Sequence, residues 1–214
     1  MNRSAQKAAA RRAPAPALVG YTMLDVPHIE VYETAVGFEP ECDPITAHER
    51  LRLVFGQKAG AGYFLFRADS SVPGRFWVRS TVPWSGKPSG ATAFEPKRVV
   101  IQLATGLMYH FALPVCVGHE VYQGEEKLVH PFRTAAEFEA WFNASAPGFG
   151  IKPLMFSASL CSLRFRHESV PYRIDHAMIE GALEVAEPER MRLRVQRGFG
   201  SHRRAGLGLL HLYN

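Results

Sequence analysis

Acidic side chains are missing from both ends of this chain. Residues 1–20 hold Arg3, Lys7, Arg11 and Arg12, and residues 190–214 hold six arginines, with no aspartate or glutamate in either stretch. The net charge of +5 therefore divides into +4 and +6 at the ends and −5 in between. Charge gathered in this way suits a localised polyanion footprint better than a uniformly basic surface does. For the N-terminal stretch alone, a soluble disordered arm is the plainer reading. Cysteine is also scarce. Cys42, Cys116 and Cys161 are odd in number and far apart, which excludes a disulfide framework and zinc-knuckle spacing and leaves buried free thiols and no metal site. No apolar run is long enough to span a membrane. The N-terminus lacks the apolar core of a signal peptide, so a cytoplasmic location without membrane contact is expected. What remains is ordinary globular composition, 47% hydrophobic and 21% charged over 214 residues. That is enough for one large domain or two small ones.

The stretch from Arg190 to Leu212 has three parts. A short helix carries Arg190, Arg192, Arg194 and Arg197. A loop follows with Gly198, Gly200, Gly206 and Gly208 around Ser201, His202, Arg203 and Arg204. Leu207 to Leu212 is then short and apolar enough for one buried strand. Glycines permit tight turns and close approach of a ligand. Their backbone N–H groups, with two adjacent arginines, would suit phosphate oxygens. Taken singly, a G-x-G pair can be a turn and an Arg-rich helix a solvated face. A dinucleotide site is excluded, because the third glycine is missing and the loop precedes a strand instead of opening a helix.

Residues 1–18 read as a flexible basic arm. His28 to Val36 has strand composition. Asp43 caps a helix with Pro44 at its first position. It runs to about Phe55, with Ala47, Leu51, Val54 and Phe55 as its core stripe. Tyr63 to Ala68 and Arg75 to Val82 form a hairpin. Trp84 to Pro96, rich in Gly, Pro and Ser, reads as a connector. Arg98 to Ala104 and Met108 to Val117 are strands, and Gly118 to His130 a loop or ragged hairpin. Thr134-Ala-Ala-Glu137 is a capping box that opens a helix ending before Gly148. Leu160 to His167 alternates, and Val170 to Val185 reads as two strands or one bent one. Arg164, Arg166 and Arg173 can thus share one basic hairpin. Glu187-Pro188-Glu189 opens the last helix and Gly198 ends it. The order β-α-β-β, connector, β-β-α-β-β-β-α-β predicts an α+β protein of tandem ferredoxin-like (RRM-like) domains, 19–96 and 97–214.

Within the first helix His48 borders the core stripe, and Arg52 lies one turn further on. On spacing alone, a packing role for this histidine is the plainer reading.

Three segments together resemble a known family. Gln196-Arg197-Gly198-Phe199-Gly200-Ser201-His202-Arg203-Arg204-Ala205-Gly206-Leu207-Gly208-Leu209-Leu210 is similar to the glycine-rich signature of the CRISPR repeat-RNA endoribonucleases of the RAMP superfamily, most closely the CasE-like nucleases of type I-E systems. Glu180-Gly181-Ala182-Leu183-Glu184-Val185-Ala186-Glu187-Pro188-Glu189 resembles that family's strand-to-helix junction. Asp43-Pro44-Ile45-Thr46-Ala47-His48 resembles its helix start, with Ile45 where the family has tyrosine. The altered motif and basic arm also suit divergent members of plasmid-borne type IV systems. The resemblance implies two ferredoxin-like domains that bind the hairpin of a CRISPR repeat RNA. It implies metal-independent cleavage at the 3′ base of the stem, without a cofactor. It also implies retention of the product as a subunit of a class 1 effector complex. It makes His48 a proton-transfer residue and Arg52 a stabiliser of phosphoryl charge. RNA contact is expected from Arg164, Arg166, Arg173, Arg197, Gly198, Gly200, Ser201, His202, Arg203, Arg204, Gly206 and Gly208. Tyr32, Tyr63 or His202 could make the second proton transfer. Two other readings stay open: a hairpin-binding subunit that does not cut, and a generic nucleic-acid-binding fold outside CRISPR systems.

Overall fold

The computed structural model describes residues 26–55, 64–69, 71–92, 95–123 and 126–213. The basic arm, the fold's expected start at Val19, Gly56 and Tyr63 lie outside the described residues. Two antiparallel four-stranded sheets organise the chain. The first contains β1 (His28–Gly37), β2 (Phe64–Ala68), β3 (Arg75–Ser80) and β4 (Lys97–Gln102) in the order β2-β3-β1-β4. The second contains β5 (Met108–Val115), β8 (Ile151–His167), β9 (Val170–Val185) and β10 (His211–Tyr213) in the order β10-β5-β9-β8. Between β5 and β8, β6 (Gly118–Gln123) and β7 (Glu126–Pro131) make a separate hairpin. Numbered within their own unit, both sheets have strand order 4-1-3-2, the ferredoxin-like arrangement, and the fold is α+β with two such units in tandem.

The helices show why the units differ. In the first, α1 (Pro44–Val54) is capped by Asp43, whose carboxylate accepts from the Ile45 and Thr46 N–H groups. It buries Pro44, Ala47, Leu51 and Val54, against Val36, Phe38, Phe66, Phe76 and Val78. Phe55 lies just past its end, half-buried against Phe64 and Trp84. Among the described residues no second helix follows β3, where the Gly/Pro/Ser-rich connector disfavours one. The chain instead returns directly to β4. The strand Lys97–Gln102 pairs with β1, so the first sheet extends past the boundary expected at Pro96. In the second unit, α2 (Ala135–Phe149) opens with the Thr134–Glu137 capping box and closes on Gly150 at φ 76°. It continues through Pro147 and Gly148 instead of ending before them. Helix α3 (Pro188–Arg197) ends at Gly198 as the sequence indicates.

Of the two long strands of the second sheet, one exceeds expectation and the other takes the single-strand alternative. β8 starts at Ile151, not Leu160, and β9 is one strand of 16 residues. Their register sets Arg164 opposite Arg173 and Arg166 opposite Pro171, which puts the three arginines on one face. The expected strand Leu207–Leu212 is shorter. Only His211–Tyr213 pairs with β5, because Gly208 at φ +89 breaks the extended run. All three cysteines are free, but only Cys116 is fully buried.

The main core joins the units. Ile29 and Val31 of β1 and Ile101 of β4 pack with Phe111, Leu113, Phe142, Leu183 and Met191. Arg79, 4% exposed, bridges the sheets by donating to Glu33 Oε1 (2.6 Å) and to the Leu210 carbonyl (2.7 Å).

Candidate nucleic-acid interface

The glycine loop folds back on the protein. Gly198, Gly200, Gly206 and Gly208 all take positive φ. A Cβ on Gly208 would lie 2.2 Å from the Phe199 carbonyl oxygen, and one on Gly198 would lie 2.9 Å from the Gly208 carbonyl oxygen and from Leu65. Gly198, Gly206 and Gly208 are buried. The expected backbone cradle for phosphate is therefore mostly used internally. The Gly198 N–H donates to Arg194, Phe199 to Gly208, Ser201 to Cys116, Ala205 to His202, Gly206 to Arg203 and Gly208 to Pro114, each to a carbonyl. These glycines serve close packing of the loop, and Gly198, Gly206 and Gly208 are buried within it. What the loop presents is the exposed run Gly200, Ser201, His202, Arg203 and Arg204. Arg203 and Arg204 lie in a short 3-10 turn, Arg203–Ala205, entered by His202 at φ 57°. Arg203 turns back and donates to the Arg197 carbonyl at 2.7 Å.

That 3-10 turn packs on α1 and brings Arg204 to His48. The imidazole is half-buried, its centroid 5.3 Å from Phe64 and 6.0 Å from Phe66. Burial, then the Arg204 guanidinium and then Arg52, push its pKa below the ordinary 6.5, with Glu49 opposing. Each disfavours the imidazolium. His48 is thus a neutral imidazole at neutral pH, beside two cations, able to accept a proton next to bound anionic charge. Arg52 is exposed on the same helix.

Three of the four arginines of α3 have partners. Arg190 pairs with Glu187, Arg192 with Glu189, and Arg194 lies 4.6 Å over the Phe149 ring. Arg197 is exposed. On the β8–β9 hairpin Arg164, Arg166 and Arg173 are all exposed, and Arg173 pairs with Asp175 at 2.9 Å. Phe165 and Tyr172 stack across the strands at 5.2 Å. The hairpin tip crosses to α1, where His167 Nδ1 meets Asp43 Oδ2 at 3.4 Å.

The structure thus gathers His48, Arg52 and Arg204 at one place, with the basic hairpin joined to the start of the same helix. The candidates for the second proton transfer separate. Tyr32 shares a row with Ser80 and Phe64 and lies two strands, about 10 Å, from the Phe64 that His48 touches. His202 stands on the turn that meets α1. Sequence reasoning missed the His167–Asp43 contact. The partners lie 124 residues apart, and the only local signal was a histidine closing an alternating strand. Among the described residues no three His, Cys, Asp or Glu side chains gather to hold a metal ion, and no helix is long and apolar enough to cross a membrane.

Solved structures share this architecture. The CRISPR endoribonuclease Cse3 bound to a 19-nt RNA matches at TM-score 0.72 and 22% identity, over 86% of this chain and 100% of that one. Cas6e of Escherichia coli K-12 matches at 0.69 and 19%, over 86% and 98%. A chain of a CRISPR RNA-guided surveillance complex matches at 0.62 and 15%, over 85% and 98%. No curated protein sequence matches. The profile of the CRISPR associated protein family spans residues 34–213, from the middle of β1 to the end of β10, and the chain belongs to that family.

Proposed function

We propose that this protein is an endoribonuclease that binds the hairpin of a CRISPR repeat RNA, cuts the precursor at the 3′ base of the stem, and keeps the product as a subunit of an effector complex. The observation that carries this reading is the packing of the Arg203–Ala205 turn on α1, which sets a half-buried His48 in the field of the Arg204 guanidinium. A half-buried neutral imidazole beside a guanidinium is what in-line attack by a 2′-hydroxyl on its own 3′ phosphate requires. His48 takes the 2′-OH proton as that oxygen bonds to phosphorus. Arg204 and Arg52 neutralise the charge on the crowded phosphorus. The bond to the 5′ oxygen breaks and that oxygen takes up a proton. The products are a 2′,3′-cyclic phosphate and a 5′-hydroxyl. Arg164, Arg166, Arg173 and Arg197, with the exposed run Gly200 to Arg204, hold the sugar-phosphate backbone of the stem. The RNA held in the Cse3 structure and the assembly of the surveillance-complex chain support the two halves of the proposal.

Incubation of the purified protein with its repeat RNA in EDTA tests it. Product ending in a cyclic phosphate is expected. A second reading has its own support: Ile45, in the first turn of α1, puts an alkyl side chain where the family has a hydroxyl. A hairpin-binding subunit without nuclease activity would shift the RNA and leave it whole. Equal affinity for repeat and unrelated stems at one salt concentration would overturn both.

A further inference from the structure

Strand β9 pairs with β5 only from Ala177 to Glu184. From Cys161 to His176 the hairpin is therefore a two-stranded ribbon, a form that is marginal without further support. Its turn is strained as well. Glu168 and Ser169 have φ of 48° and 67°, the conformation a two-residue hairpin turn usually assigns to Asn and Gly. Yet the tip is anchored. His167, immediately before the turn, meets Asp43 Oδ2 at 3.4 Å, and the two side chains are 17% and 14% exposed. Asp43 is itself fixed to the first turn of α1. Its Oδ1 accepts from the Ile45 and Thr46 N–H groups at 2.9 and 3.1 Å, and its Oδ2 accepts from Thr46 Oγ1 at 2.6 Å. The contact therefore runs from the hairpin straight into the helix that carries His48.

We propose that His167 is a positioning residue. Through Asp43 it sets the ribbon bearing Arg164, Arg166 and Arg173 against α1, so that RNA held by those arginines meets the His48 imidazole at a fixed distance. This rests on the endoribonuclease reading above. A displacement of about 1 Å at a reacting centre can lower a rate about 100-fold, whereas phosphate contacts along a flexible ribbon tolerate it.

The test measures single-turnover cleavage of the repeat hairpin, and affinity for the same hairpin with a 2′-deoxy nucleotide at the cut site. His167→Ala is expected to slow cleavage by about 10- to 100-fold with affinity unchanged. His167→Gln, whose amide can still donate to Asp43, restores most of the rate. Asp43→Asn keeps the helix cap. Combined with His167→Ala it should slow cleavage no further than His167→Ala alone, because the two act through one contact. An unchanged rate, additive losses, or equal losses of rate and affinity would each overturn the proposal. A wild type that cuts nothing overturns the endoribonuclease reading instead. The anchor is then judged by amide hydrogen exchange over residues 161–176, which must be faster in His167→Ala; unchanged exchange sinks the anchor itself.

Discussion

Replacing Gly208 with alanine separates two explanations of the glycine-rich loop. If its glycines exist to admit a phosphate, a methyl group there should weaken RNA binding and spare stability. The geometry assigns the reverse. Two contributions add up: φ of +89° and a Cβ 2.2 Å from the Phe199 carbonyl oxygen. The left-handed conformation costs a non-glycine residue about 1–2 kcal/mol. The overlap is with backbone, which must shift, at a further 1–3 kcal/mol or so. The sum is about 2–5 kcal/mol. Gly106 supplies the control, with φ of +87° and nothing within 4 Å of the place an alanine methyl would occupy, so Gly106→Ala should lose only the first contribution. At about 2–4 °C per kcal/mol for a chain of this size, thermal unfolding should fall by roughly 2–8 °C in Gly106→Ala and by clearly more in Gly208→Ala. Urea titration followed by circular dichroism gives the free energies directly. Equal losses in the two variants would refute the close-packing argument, and a stable Gly208→Ala protein with weakened RNA binding would restore the phosphate cradle.

His48→Ala should lower cleavage by about two to four orders of magnitude in a gel assay while leaving hairpin binding intact; normal cleavage removes His48 from the site. Because burial and the two arginines depress the His48 pKa, the acid limb of the pH–rate profile should fall below pH 6.5. Arg204→Gln should move that limb upward, since one source of the depression is gone. The same sign governs stability. His48, His176 and His211 are all depressed first by burial, so the unfolded chain takes up protons first. Their contribution is complete above pH 6.5 and is lost as pH falls through the folded values, which acid titration of unfolding would reveal. Arg79→Met should destabilise by about 2–3 kcal/mol, because it leaves the Leu210 carbonyl without its buried donor; a change below half a kcal/mol would contradict the bridge between the sheets. Ser169→Gly should stabilise by about 1 kcal/mol in urea titration, since glycine takes positive φ freely.

Helix ends were the most legible features of the sequence. Asp43-Pro44, the Thr134–Glu137 box and Glu187-Pro188 before Gly198 are local devices, and each starts or ends its helix where the side chains require. Strand limits were less legible, because pairing sets them. Lys97–Gln102 looks like the opening of the second half but belongs to the first sheet, where it pairs with β1. Leu207–Leu210 is apolar enough for a strand, yet its backbone is taken up by contacts with Pro114, Phe199 and Arg79. Of the candidate site, residue types were readable and roles were not. Arg203 and Arg204 are adjacent and chemically identical, but one closes the loop on the Arg197 carbonyl while the other acts on His48. No spacing rule distinguishes them.

The loss of a helix in the first unit bears on how the site is built. Among the described residues, the edge strand β2 pairs with β3 alone. An exposed edge invites pairing with other chains. Here the glycine loop of the second unit lies against it: Gly198 faces Leu65, and Gly206 faces Phe66 and Arg67. The positive φ of both glycines favours that residue, and the 3-10 turn of the same loop packs on both β2 and α1. The loop therefore packs on β2 residues, joins the two units and brings Arg204 to the side of α1 that carries His48, in one piece of chain. Neither unit alone carries the site, and a change that loosens the loop's packing must act on stability and on the His48 environment together.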